Sequence, residues 1–128
     1  MKRKLDFITN SSSVCFVGWG VKLDITNLSD DFILKLYNHA ISKDIKITLE
    51  EFKNTDSYDW EWIISSYVGT DGLSASYCYI FDEIYIGIEL KDIPDDQTIG
   101  DAKRETKEKL EKLGLSEFKF IEESWRDG

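Results

Sequence analysis

The sequence predicts an α+β fold: a two-layer sandwich of the ferredoxin-like kind, with a four-stranded antiparallel sheet. Three observations lead there. Period-2 apolar runs mark strands, capped amphipathic stretches mark helices, and their order along the chain is β-α-(α)-β-β-α-β. With one additional helix after the first, this is the order of the split βαβ sandwich. Helices would cover one sheet face and leave the other open to a ligand or to a second copy of the chain.

The first strand is read over Val14 to Leu23. Cys15, Val17, Trp19, Val21 and Leu23 alternate with Phe16, Gly18, Gly20 and Lys22. Two glycines on one strand face mark close approach of another backbone or a ligand. Ser29-Asp30-Asp31 then opens a helix, because a serine oxygen accepts from free amides and acids suit the positive end of the dipole. Its apolar stripe is Phe32, Ile33, Leu36, Tyr37, Ala40 and Ile41, with His39 beside it. Thr48-Leu49-Glu50-Glu51 resembles a capping box and starts a short turn.

Residues 57–68 admit two readings. As a strand, Trp60, Trp62, Ile64, Ser66 and Val68 share a face; as a helix, Trp60, Ile63, Ile64, Tyr67 and Val68 do. The helical set is more purely apolar and Gly69 follows as a stop, so the expectation is a helix. Leu73–Phe81 and Ile84–Leu90 read as a hairpin around Asp82-Glu83, an unfavoured turn pair. The order then puts Gly18, Gly20 and Gly87 on one open face near Phe16 and Tyr85.

Pro94-Asp95-Asp96-Gln97-Thr98 prepares the clearest helix. Ile99, Ala102, Thr106, Leu110 and Leu113 line one side and Gly114 ends it. A last strand over Glu117–Ser124 sets Phe118 and Phe120 toward the core.

The 128 residues fit a single domain, 1–128, with 1–13 as an arm and turn leading into the first strand. At 41% hydrophobic the chain has material for a real core. Cys15 and Cys78 lie in apolar runs and read as core thiols. Met1–Lys4 are basic, but Asp6 and the run Thr9–Ser13 interrupt any apolar stretch after them. No run of 18 apolar residues exists, so no membrane span is expected, and the simplest location is the cytoplasm.

Net charge is −9 and uneven. Residues 1–23 carry +3, residues 24–96 carry 16 acids and 5 bases, and residues 97–128 carry −1. A duplex phosphate backbone is repelled by such a middle segment, which makes nucleic acid an unexpected partner.

Catalytic constellations are absent from the sequence patterns. His39 stands alone, and Ser11–Ser13 lack the spacing of known serine nucleophiles. Gly18-Trp19-Gly20 lacks the third glycine of a dinucleotide fingerprint. Neither acidic set, Asp56/Asp59/Glu61 or Asp92/Asp95/Asp96, matches a calcium loop. No cofactor and no metal is expected.

Leu5-Asp6-Phe7-Ile8-Thr9-Asn10-Ser11-Ser12-Ser13-Val14-Cys15-Phe16-Val17 is similar to an N-terminal signature of the form D/G-F-V-T/S-N-S-S-S-x-x-F. It resembles the start of a group of small uncharacterised proteins of bacteriophages and bacteria. Ile84–Ile88, Asp95–Thr98 and the ending Glu123–Gly128 resemble that group too. Ile8 stands where valine is commoner and Cys15 where serine is frequent. The group supplies no activity, so the resemblance implies no functional residue. Physically, Thr9–Ser13 read as a hydrogen-bonded turn, with Phe7 and Ile8 docked on the domain.

The leading expectation is a non-catalytic acidic interaction protein, phage- or mobile-element-related, that binds a basic surface of a bacterial protein, for example as an anti-defence inhibitor. Asp56, Asp59, Glu61, Phe16 and Tyr85 are the candidate contact residues. The alternatives are a small-ligand binder or enzyme on the open sheet face, and a self-associating virion accessory protein, such as a homodimer.

Overall fold

A computed structural model describes residues 12–126 of the chain. Each of its α-helices begins at a side-chain cap. Ser29 Oγ accepts from the Phe32 amide ahead of α1 (Asp30–Ser42). Thr48 and Glu51 complete a reciprocal capping box ahead of α2 (Leu49–Lys53). Asp56 accepts from the Asp59 amide at 3.0 Å ahead of α3 (Ser57–Gly69), and Thr98 from the Asp101 amide at 3.0 Å ahead of α4 (Ile99–Lys112). Each such bond satisfies an orphan donor and stabilises its helix by about 1 kcal/mol. Residues 57–68 are therefore helical, as the apolar set indicates.

The strands are β1 (Ser12–Asp24), β2 (Ser74–Cys78), β3 (Glu83–Glu89) and β4 (Lys119–Arg126). They form one sheet in the order β2-β3-β1-β4, with every neighbouring pair antiparallel. This is the expected two-layer, ferredoxin-like arrangement. The main core lies between the helices and one sheet face. Val21, Ile84 and Ile86 meet Phe32, Leu36 and Ala40 of α1, Phe52 of α2, Trp60, Ile64 and Val68 of α3 and Leu110 of α4. Full burial of each large side chain contributes about 1.5–3 kcal/mol.

Several local expectations are corrected. Ser12 and Ser13 belong to β1, paired with Arg126 and Trp125, rather than to a turn. The hairpin strands are shorter than the apolar runs: Tyr79–Asp82 form the loop, Asp82 adopts a positive φ of 51°, and its carboxylate accepts from the Tyr77 hydroxyl. Ile99 is 58% exposed, because it opens α4 before that helix reaches the sheet. Ile41 is exposed as well. Phe118 packs on the main core, whereas Phe120 is exposed and meets Trp19 edge-on at 5.0 Å. Trp19 also stacks on Phe118 and lies under the Lys103 ammonium.

The sheet is strongly curled away from the helices. The register puts Tyr85 opposite Lys22, six residues along β1 from Phe16, which on a flat strand is ~20 Å. Yet the Phe16 and Tyr85 rings have centroids 5.8 Å apart. Lys22 likewise reaches Glu123, the partner of Phe16 on β4, at 3.6 Å. Residues of β1 and β2 approach within 8 Å at Cα although β3 lies between them. The curl is made where Gly18, Gly20 and Gly87 face each other. A Cβ on any of them would sit on a carbonyl oxygen of the paired strand: Ile88, Ile86 or Trp19 respectively.

Candidate functional site

Two surfaces carry the residues singled out above: a groove in the helical layer and the concave face of the sheet. The groove, of about 280 Å³, runs between α1, α2 and α3. Ala40, Ile45, Ile47, Phe52, Ile63 and Trp62 give it an apolar lining, and Thr55 and Asp59 are its polar members. A smaller cavity continues past Trp62 to His39, Lys43 and Ser66. Trp62 is 67% exposed, the most exposed of the large hydrophobic residues in the described part. It falls outside the buried stripe of α3, whose inner positions are Trp60, Ile64 and Val68.

The three acids named from the sequence do not form one cluster. Asp56 caps α3 and Asp59 lies in its first turn, both exposed. Neither is ion-paired among the described residues. Glu61 instead turns toward the sheet, where its Oε2 accepts from the Tyr77 amide at 2.8 Å. Since β2 is an edge strand, this bond occupies a backbone donor that would otherwise be open to another chain. Among the described residues no group of three or more acidic, His or Cys side chains is placed to hold a metal ion. Asp92, Asp95 and Asp96 lie exposed on the segment before α4.

Phe16 and Tyr85 are brought together as expected, but both are 0% exposed. They form a second small core with Cys78 and Ile121, on the sheet face away from the helices, and Cys15 packs against it. Neither ring is therefore presented to a partner. Strict period 2 places Cys15 with Val17 and Trp19. An irregularity in the β1–β4 register between Val14 and Phe16 takes Cys15 out of that alternation. Around this core Lys22 bridges Glu83 and Glu123, at 3.6 Å each, and the Tyr85 hydroxyl donates to Glu83. The sequence does not single out this Lys-Glu-Glu set, because its members meet only through the curl.

Burial pushes the Cys15 thiol up to about 12, helped by its hydrogen bond to Cys78 and by the Glu123 and Glu83 charges. Burial also raises the Tyr85 phenol. Such a thiol is not a ready nucleophile at neutral pH. The unfolded chain ionises this cysteine from its ordinary value of 9.0, while the folded chain keeps the proton. Stability therefore falls as pH rises between 9.0 and about 12. Urea midpoints across that window should drop for the native protein and drop less for Cys15→Ser.

His39 is far from this chemistry in the fold. It sits on α1 with Nε2 3.2 Å from Ser66 Oγ and its ring edge-on to Tyr67. The cysteines lie across the sheet from it, so no Cys–His pair forms. Among the described residues no carboxylate holds its other nitrogen, so the Ser66 contact lacks the orienting group of a triad. Phe7, Thr9, Asn10 and Ser11, together with Ile8, lie outside the described residues.

Compared with known proteins, the chain matches no family model, no curated protein and no solved structure. Among the described residues no helix is long and apolar enough to cross a membrane.

Proposed function

We propose that this chain is a non-catalytic protein-binding domain whose helical layer docks a basic segment of a partner protein. The carrying observation is Trp62, two-thirds exposed over an apolar groove that Asp59 also lines, with Asp56 capping the same helix and neither acid ion-paired among the described residues. An exposed tryptophan beside a groove has the character of an interface anchor, since buried aromatics supply most of the binding energy at hot spots. The −11 balance of residues 24–96 favours a basic partner and speeds its association. The apolar lining suits the aliphatic stem of a lysine or arginine, with its charge at Asp59. His39 and Lys43 line the smaller cavity beyond Trp62. Phe16 and Tyr85, being buried, leave the contact set, and Glu61 acts at β2.

The phage- or mobile-element relation, and with it an inhibitory role against a bacterial defence protein, rests on the sequence resemblance, chiefly its N-terminal signature, and is part of this proposal. The small-ligand alternative is the weaker one, because the glycine-bearing face that it needs is occupied by the Phe16–Tyr85 core.

Three proteins test the reading: native, Trp62→Ala, and Asp56→Asn with Asp59→Asn. Each is used to capture partners from bacterial lysate at low and high salt. The expected result is one specific partner, lost at least tenfold with Trp62→Ala and weakened with salt or by the double variant, about 1.4 kcal/mol or more of binding. The Trp62→Ala unfolding midpoint should stay near native, since Trp62 is exposed. Undiminished capture by both variants would defeat the proposal.

A further inference from the structure

We infer that Cys15 and Cys78 form a modification site: an intrachain disulfide, closed by exchange with a low-molecular-weight disulfide, that ties β1 to the edge strand β2 over the concave face. Both cysteines are free thiols, and both belong to the small core around Phe16 and Tyr85. They come from strands that are not neighbours in the sheet, and the curl alone brings those strands together. Cys15 packs against the small core that contains Cys78, and Cys78 is among the groups that hold the Cys15 thiol protonated. The two differ in access. Cys78 is 3% exposed, whereas Cys15 is only partly covered. Cys15 therefore meets a reagent first, and Cys78 is placed to resolve the adduct.

The chemistry balances in two exchanges. Alkali draws the proton from the Cys15 thiol, and the thiolate so formed attacks one sulfur of a small disulfide; a new S–S bond forms and one small thiolate leaves and takes up a proton. The Cys78 thiolate then attacks the Cys15 sulfur and expels the second small thiolate, which is protonated in turn. The two protein thiols give up two electrons and two protons, and the reagent is reduced to two thiols. Lys22, Glu83, Glu123 and Tyr85 lie around the site. A bond here would fix the curl that Gly18, Gly20 and Gly87 allow and close a long loop of the unfolded chain.

The test treats folded native protein with oxidised glutathione at pH values stepped upward from neutral, because the Cys15 thiol yields its proton only in alkali, followed by intact mass and non-reducing peptide mapping. The expected product is lighter by two hydrogens and gives one peptide pair linking Cys15 to Cys78. Its unfolding midpoint is raised, and dithiothreitol reverses both changes. Cys78→Ser should instead stop at a stable glutathione adduct on Cys15. A disulfide requires Cα atoms about 4.4–6.8 Å apart, so the linked pair also reports how closely the curl brings these backbones. Three results would overturn the inference: an unresolved adduct on the native protein, a disulfide between two chains, or reaction only in urea. If Cys78→Ser does not fold, mapping of the native protein decides alone.

Discussion

Replacing Gly20 or Gly87 by alanine is expected to unfold the protein or come close to it. In most strands a glycine-to-alanine change is mild and even favourable, because it reduces the freedom of the unfolded chain. Here the added methyl has nowhere to go. A Cβ on Gly87 would overlap the Trp19 carbonyl oxygen and lie 2.7 Å from Gly20 Cα. A Cβ on Gly20 would overlap the Ile86 carbonyl oxygen and lie 2.9 Å from its carbon. These neighbours are backbone, so no rotamer change relieves the contact. β1 and β3 must separate or flatten, and either movement breaks the ladder at the centre of the sheet. The cost is on the order of 3 kcal/mol or more, at the upper end of overpacking effects. Against a total stability of roughly 5–15 kcal/mol, that is a large share. Gly69→Ala supplies the control. It lies at the end of α3 with nothing within 4 Å of its would-be Cβ, and it should stabilise the helix by ~0.5–1 kcal/mol. Urea unfolding followed by circular dichroism measures all three. A Gly20→Ala midpoint equal to native would show that the strands do not approach so closely.

The same glycines mark the boundary of what the sequence discloses. Helix positions are legible because they are set locally: Ser29, Thr48, Asp56 and Thr98 each bond an amide three residues on. Gly114, at a φ of 78°, ends the last helix by the left-handed conformation that glycine allows. Strand order is legible from element order and the connection rules. Curl is different. Gly18, Gly20 and Gly87 correctly signal a close approach, but the approaching group is the paired strand's own backbone, not a ligand. Period 2 along β1 cannot show that a register irregularity precedes Phe16, so it puts Cys15 on the wrong face. The groove has the opposite history. Trp62 stands outside the apolar set once residues 57–68 are read as a helix, and a tryptophan on the polar side of a helix is the available signal. Asp56 and Asp59, read from the sequence as contact acids, prove to be the N-cap and a first-turn acid of α3, and the role of Glu61 at Tyr77 needs the packing of α3 on β2.

Phe16→Ala should lower stability by about 3–5 kcal/mol, the usual cost of emptying a buried aromatic site. Phe16 is fully covered, and its ring contacts Tyr85 in a core of only a few residues. So small a cluster has little means of collapsing into the space. The curl holds Phe16 and Tyr85 at the distance their rings require, and the glycines beneath them resist further closure. The hole therefore stays open or fills with water against an apolar wall, and both outcomes are costly. Tyr85→Phe keeps the ring and removes only the hydroxyl that donates to Glu83 at 3.2 Å. Its loss should be smaller, ~1.5–3 kcal/mol for a hydrogen bond to a charged group. The ordering Phe16→Ala worse than Tyr85→Phe, with Trp62→Ala nearly silent, separates the two surfaces by thermodynamics. Denaturant midpoints for the three variants, taken beside their partner capture, read it out. A stable Phe16→Ala protein that had lost its partner would return Phe16 to the contact surface and move the binding site from the helices to the sheet.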